Sequence, residues 1–125
     1  MYSGRGILHY HINWLVVYTD DEIGRYYRAI ITREHPSVKL NSPMHGAHIT
    51  VIAGKYETPP KKDLYWGLYE GEIVDFQYSP EIHFDDGLYY WLTVECKRIE
   101  DIREELGLLP KIRFAWHLTV GNTKE

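Results

Sequence analysis

The chain has 125 residues, 44% of them hydrophobic, and a formal charge of −4. This length suits a single domain over residues 1–125, and the acidic balance argues against a protein that tracks long nucleic acid, because such proteins neutralise phosphates with a basic surface. No apolar run could cross a membrane, the first residues carry no signal-peptide pattern, and the lone Cys96 can form no internal disulfide, so we expect a cytoplasmic protein without a membrane partner.

The first half of the chain is predicted to hold two strands and one helix. Residues 7–18 alternate and then become apolar on both faces, which favours one central strand. Residues 19–22 offer polar caps and acids for a helix start, and Pro36 ends that helix by residue 34 or 35. After a loop, residues 47–53 predict the second strand.

The second half of the chain is predicted to contain several strands and one clear helix. Residues 63–69 read as a short helix or as irregular structure, and residues 72–78 and 81–84 read as strands around Pro80. The pair Asp86-Gly87 is a hairpin signal, because it tolerates positive φ. The remaining elements are a strand at 88–97, an amphipathic helix at 99–106 ended by Gly107, and a last strand at 112–120.

Two near-copies of one tetrapeptide, His-apolar-Thr-Val, lie in predicted strands at residues 48–51 and 117–120. Residues i and i+2 of a strand point to the same face, so His48 shares a face with Thr50, and His117 with Thr119. Each motif strand follows a helix, which makes a weak internal repeat. We therefore predict an α+β domain with two lobes, each giving one motif strand to a central cleft.

The two motifs supply the groups that phosphodiester cleavage needs. One neutral imidazole can activate the attacking oxygen while one protonated imidazole protonates the leaving oxygen, since the reference pKa of histidine is about 6.5. Two threonine hydroxyls can hydrogen-bond the non-bridging oxygens of the phosphate. This chemistry requires no metal and no other cofactor. One His-x-Thr alone is more often structural, and the pattern by itself leaves both interpretations open.

The paired motifs, together with the run at residues 39–51, resemble the 2H phosphoesterase family, also called LigT-like, and in particular its compact bacteriophage branch. That resemblance implies a two-lobed fold with antiparallel sheets flanking a central cleft and about two helices. It also implies that His48 and His117 are catalytic and that Thr50 and Thr119 bind phosphate. The branch includes anti-CBASS phosphodiesterases, which cleave cyclic di- and trinucleotide signals of bacterial immunity.

The resemblance further implies a metal-independent phosphodiesterase that hydrolyses 3′-5′ bonds of cyclic oligonucleotides, such as cyclic GMP-AMP, in the cytoplasm of a host cell. Aromatic residues of that branch stack on the bases, and Tyr10 and Tyr78 are the corresponding candidates here. His45, just before the first motif, is a third candidate for substrate contact. The alternatives are that both tyrosines belong to the core and that His45 is an ordinary loop residue.

Other interpretations stay open at this point. The chain could be a 2′,3′-cyclic phosphodiesterase acting on RNA ends or small nucleotides, a non-catalytic sponge for cyclic nucleotides, or a structural phage protein with incidental motifs. His9 and His11 could be imagined as metal ligands, but no Cys, Asp or Glu has matching spacing, which favours a surface or cleft-facing pair. Lys111 and Arg113 could attract phosphate or be plain surface charges. The oligomeric state is not predicted.

Overall fold

The computed structural model describes residues 1–43, 46–85, 88–111 and 116–123. Within these residues, six strands pair in the order β1-β2-β3-β6-β5-β4 and close into one antiparallel barrel. The strands are β1 (Tyr2–Tyr10), β2 (Trp14–Thr19), β3 (His48–Ala53), β4 (Ile73–Asp85), β5 (Tyr89–Glu95) and β6 (Trp116–Asn122), and the helices are α1 (Asp21–Glu34), α2 (Lys62–Tyr65) and α3 (Lys97–Glu105).

The predicted two-lobed α+β fold with a central cleft and about two helices is wrong. The strands form a single closed barrel, because β1 pairs with β4 along six residue pairs, from Tyr2 opposite Tyr78 to Ile7 opposite Ile73. Three helices, all short, accompany the six strands of the described chain. The β1 and β4 residues that close the barrel are far apart in the sequence, so no local sequence pattern predicts their pairing.

Some predicted elements hold and others have different bounds. Helices α1 and α3 confirm the two amphipathic helices. The single strand predicted at residues 7–18 is wrong: a turn divides it into β1 and β2, and the His11 amide donates to the Trp14 carbonyl at 2.8 Å. The two strands predicted around Pro80 are one strand, β4, with a register shift between Tyr78 and Ile82. The Asp86-Gly87 turn lies outside the described residues.

The order of elements repeats along the chain. A first repeat consists of β1, β2, α1 and β3, and a second repeat consists of β4, β5, α3 and β6, with α2 between them. In the barrel the two sets of three strands meet at β3–β6 and at β1–β4. The internal repeat is therefore a property of the whole backbone rather than of the two tetrapeptides alone.

One face of the barrel wall, called here the core face, packs against the helices. Leu8 and Val17 lie opposite each other on it, and both are fully buried. Ile31 of α1 and Ile102 of α3 join the same apolar cluster. The Asp20 carboxylate accepts from the Glu22 amide and caps the start of α1. Other members of the cluster are Ile49, Val51, Ile52, Phe76, Leu92, Val94, Leu118 and Val120.

Candidate active site

The two motif strands are neighbours in the barrel. Strands β3 and β6 pair antiparallel, with His48 opposite Thr119 and Ile49 opposite Leu118. Continuing this register by one step sets Thr50 opposite His117. Directly opposite residues of a sheet share a face, so these four polar side chains form one square group, called here the motif block. The block consists of His48, Thr50, His117 and Thr119.

Burial confirms which way the motif side chains point. The four residues of the motif block are half-buried, whereas Ile49 and Leu118 between them are fully buried. The block therefore lies on the side of the wall opposite to the core face, called here the motif face. His48 and His117 are diagonal neighbours across the strand pair, a relation that sets side chains roughly 7–8 Å apart. That spacing leaves room for a tetrahedral group between two rings.

A backbone carbonyl fixes the tautomer of His48. Its Nδ1 lies 2.9 Å from the Gly46 carbonyl oxygen. A carbonyl can only accept a hydrogen bond, so Nδ1 carries the proton and donates it. In the neutral ring, Nε2 is then the nitrogen that accepts a proton. His48 is thus arranged as a base.

A tryptophan covers the ring of His117. The Trp91 and His117 ring centroids are 3.9 Å apart with an interplanar angle of 29°, and His83 stacks on Trp91 at 4.3 Å and 19°. Trp91 also lies directly opposite Thr119. The face of an indole attracts a cation, and a protonated His117 would meet such a face here. The two motif histidines therefore have different surroundings.

A second group of rings flanks His48 on β1 and β2. Tyr18 lies opposite His48, with ring centroids 6.5 Å apart. The Tyr18 hydroxyl is 2.7 Å from Nε2 of His11, and burial raises the pKa of Tyr18 above its ordinary value. His11 in turn stacks on Trp14 at 4.1 Å and 9°. His9 pairs with Val16. The motif face and its margin thus hold five of the six histidines that the structure describes: His9, His11, His48, His83 and His117.

Each motif strand has a β-bulge directly after its threonine. Thr50 pairs with Val16 while Ile52 pairs with Leu15, so Val51 is the extra residue of β3. In the same way Thr119 pairs with Trp91 and Gly121 pairs with Tyr90, which makes Val120 the extra residue of β6. Bulges occur preferentially next to active sites, where they redirect a side chain.

Two arginines hold these bulges, and each comes from the other repeat. Arg103 of α3 donates from Nη1 to the Val51 carbonyl at 2.9 Å, and Arg28 of α1 donates from Nη1 to the Val120 carbonyl at 2.9 Å. Arg103 is 2% exposed and also pairs with Glu57. Sequence reasoning assigned no role to either arginine. Each is a cation among the apolar positions of an amphipathic helix, and that pattern could have indicated a buried contact.

Two of the predicted substrate-binding residues, Tyr10 and Tyr78, lie away from the motif block. Tyr10 lies opposite Leu15 on the core face, where its ring meets Trp66 edge-on at 5.1 Å and burial raises its pKa to about 12. Tyr78 lies opposite Val94, also on the core face. His45 is outside the described residues. Among the described residues, the rings of Tyr18 and Trp91 lie beside the block, and sequence reasoning assigned neither of them to the site.

The structure also bears on the other charged and metal-binding candidates. No group of three His, Cys, Asp or Glu side chains suited to a metal ion occurs in the described ranges. His9 places Nδ1 2.9 Å from a Glu70 carboxylate oxygen and meets His11 edge-on. Lys111 is exposed, and Arg113 is outside the described residues. No helix in the part of the chain that the structure describes is long and apolar enough to span a membrane.

Comparison with known proteins gives the motifs no further support. No family model, no curated protein and no solved structure matches the chain. The resemblance to 2H phosphoesterases therefore depends on the paired motifs and the run before the first of them.

Proposed function

We propose that the chain is a metal-independent phosphodiesterase in which His48 and His117 act on one phosphorus from two sides. The observation that carries this proposal is the register of β3 and β6, which sets His48 opposite Thr119. Two His-x-Thr pairs related in this way offer two imidazoles and two hydroxyls around one point. That set matches the needs of in-line attack at a phosphodiester.

In the proposed reaction, His48 is the general base and His117 the general acid. Nε2 of His48 takes a proton from water, and the water oxygen attacks phosphorus. The P–O bond on the opposite side breaks, and its oxygen receives the proton of His117. The hydroxyls of Thr50 and Thr119 donate to the non-bridging oxygens. The Gly46 carbonyl at Nδ1 of His48 and the Trp91 ring on His117 support this division of roles.

The substrate class we propose is a cyclic oligonucleotide second messenger cleaved at a 3′-5′ bond, which would make the protein a phage counter-defence enzyme in the host cytoplasm. Aromatic rings flanking the block on both sides suit nucleotides, because bases stack on aromatic side chains. The net charge of −4 does not favour long RNA. A 2′,3′-cyclic phosphodiesterase acting on small nucleotides is the alternative within the same chemistry.

The test is incubation with cyclic GMP-AMP in the presence of EDTA, followed by chromatographic separation of the products. We expect a linear dinucleotide with chelator present. Intact ligand recovered after denaturation of a stable complex would instead indicate a sponge, and neither binding nor cleavage of cyclic GMP-AMP or a 2′,3′-cyclic mononucleotide would support a structural role. Either of these two outcomes contradicts the enzyme.

A further inference from the structure

Four tyrosine rings gather around a second cavity, where α1 meets β1 and β4. Tyr2 lies opposite Tyr78 in the β1–β4 pairing, and Tyr26 and Tyr27 are consecutive residues of α1. These four residues are called here the tyrosine cage. The cavity has a volume of about 400 Å³, in the range of small-ligand sites. Its lining consists of Tyr2, Tyr26, Tyr27, Ile30, Tyr78 and Pro80.

We propose that the tyrosine cage binds a quaternary ammonium group, such as the trimethylammonium head of choline, against its ring faces. The face of an aromatic ring is electron-rich and attracts an organic cation, and several rings together form the usual binding site for such a group. The cage lies on the core face, on the other side of the barrel wall from the motif block. The proposal therefore goes beyond the phosphodiesterase function and does not depend on it.

The angles between the rings suit a rounded group rather than a flat one. Tyr27 meets Tyr26 at 87° with centroids 5.0 Å apart, and it meets Tyr78 at 86° with centroids 6.1 Å apart. The rings of Tyr2 and Tyr78 are tilted by 34° at 5.9 Å. Rings at right angles present their faces in different directions, so together they can surround a tetrahedral centre. A planar base would need parallel faces instead.

The chemistry of the lining favours a cation without N–H groups. Among the described residues, no charged side chain lines the cavity. A primary ammonium carries three donors that each need an acceptor once water is removed, whereas a quaternary ammonium carries none. Its methyl groups can contact Ile30 and Pro80. In the described part of the chain, the lysines and arginines that lie over aromatic rings use rings other than these four.

The inner wall of the cage is held in place by the core. Tyr27 is buried in the apolar cluster, and the buried ring of Phe76 lies 6.2 Å from the ring of Tyr78. A Cβ at position 4 would collide with the Phe76 ring, so Gly4 allows this ring to lie against β1. Burial raises the pKa of Tyr27 to about 12, so its phenol is neutral at ordinary pH. A wall fixed in advance lowers the entropy cost of binding.

The outer wall of the cage faces solvent. Tyr2 is 57% exposed and Tyr26 is 63% exposed. Large aromatic side chains that are exposed side by side mark an interaction site more often than scattered ones do. The net charge of −4 also attracts cations to the protein. An organic cation can thus reach the cage directly and bury the two rings on binding.

The experiment compares two ligands of nearly the same shape, choline and the uncharged 3,3-dimethylbutan-1-ol, each titrated into the whole chain and followed by NMR. We expect choline to bind at least ~10-fold more tightly than the alcohol, because only the cation is attracted to the ring faces. Absence of choline binding, or equal binding of the two ligands, would overturn the proposal. Phosphocholine and Nε-trimethyllysine carry the same head on different stems, and the tighter ligand identifies its source.

Three variants locate the site. Tyr26→Ala should weaken choline binding by about threefold or more, the contribution of one exposed ring, and Tyr26→Phe should retain most of the affinity because the ring remains. The matched control is Tyr56→Ala, which removes an 81% exposed tyrosine that does not line the cage. Equal effects of Tyr26→Ala and Tyr56→Ala would contradict the assignment of the site.

Two other occupants of the cage give different results. A proline-rich peptide that binds when choline does not would assign the cage to an extended peptide. A dimer that dissociates in Tyr26→Ala, measured by analytical ultracentrifugation, would assign it to a second copy of the chain. Either result would overturn the proposal.

Discussion

The two repeats of this chain share a backbone plan and differ in the side chains beside the motifs. Next to Thr50 the neighbouring strand carries Val16, whereas next to Thr119 it carries Trp91. Val16 is fully buried but, within the described residues, does not belong to the core cluster, so it lies under the polar side chains of the motif face. The smaller side chain accompanies a cavity of about 520 Å³ that borders Thr50, and the larger one stacks on His117.

The two motif histidines occupy equivalent positions of the repeats but have different neighbours. The β3–β6 pairing and the bulge after each threonine make the two motifs alike in position. Their neighbours differ, because the Gly46 carbonyl accepts from Nδ1 of His48 whereas the Trp91 indole stacks on the ring of His117. The proposed division of roles depends on this difference.

Loss of either motif imidazole should lower activity the most. His48→Ala and His117→Ala should each lower kcat for cyclic GMP-AMP by ~10²-fold or more, the usual loss for a general acid or base. The fold should persist, since both side chains lie outside the apolar core. Steady-state kinetics and circular dichroism measure the two quantities. His35→Ala, an exposed histidine at the end of α1, is the matched control, and a normal rate in both motif variants would contradict the proposed roles.

Next in size is the loss of a motif hydroxyl. Thr50→Val and Thr119→Val should each lower kcat by about 10²-fold, because the replacement has nearly the same shape but cannot donate to a phosphate oxygen. The free energy of unfolding should change little, since both side chains are only half-buried. Denaturant titration alongside kinetics separates the two effects. A variant that loses stability but keeps its rate would mean that the hydroxyl is structural.

The arginines on the bulges should differ in their effect on stability. Arg103→Met leaves the Val51 carbonyl without this donor and the Glu57 carboxylate without its partner, which should cost about 2–4 kcal/mol of unfolding free energy. Arg28→Met should cost about half as much, because the Arg28 side chain is 15% exposed against 3% for Arg103. Chemical denaturation midpoints give both values. The reverse order would show that burial does not decide the strength of these contacts.

The smallest effect concerns the indole on His117. Trp91→Leu removes the attraction between a ring face and a cation, so less of His117 is protonated at a given pH. The acid must be protonated to act, so activity falls as pH rises, and the alkaline limb of the pH–rate profile should move to lower pH. The rate at neutral pH should drop by roughly two- to fivefold. An unmoved alkaline limb, or one shifted to higher pH, would remove the argument for His117 as the acid.

The sequence predicted local features of the site better than its surroundings. Alternation placed His48 and Thr50 on one face and Ile49 on the other, and the burial of these residues agrees. The alternation could not predict that His48 lies opposite Thr119 or that β1 pairs with β4, because both pairings join residues that are far apart in the chain. The closed barrel therefore had no signal in local periodicity.

Tyr10 and Trp14 show why the sequence could not tell which aromatic side chains lie near the motif block. Tyr10 shares its strand face with Leu8, and only the packing of Leu8 against the helices shows that this is the core side. The turn at residues 11–13 contains no glycine or proline, and Asn13 is its one turn-forming residue, so the composition gave only a weak signal for a break in the predicted first strand. Without that turn, the sequence could not show that Trp14 and Thr50 border one cavity.

The exchange of arginines between the repeats has a consequence for how the chain can be divided. The helix of each repeat anchors the strand of the other, so a fragment ending after β3 would lack the donor for its own bulge, and so would the complementary fragment. Neither piece should form a native barrel when produced alone. When the two fragments are mixed, they should associate and form the native barrel by fragment complementation, because each supplies the arginine that the other lacks.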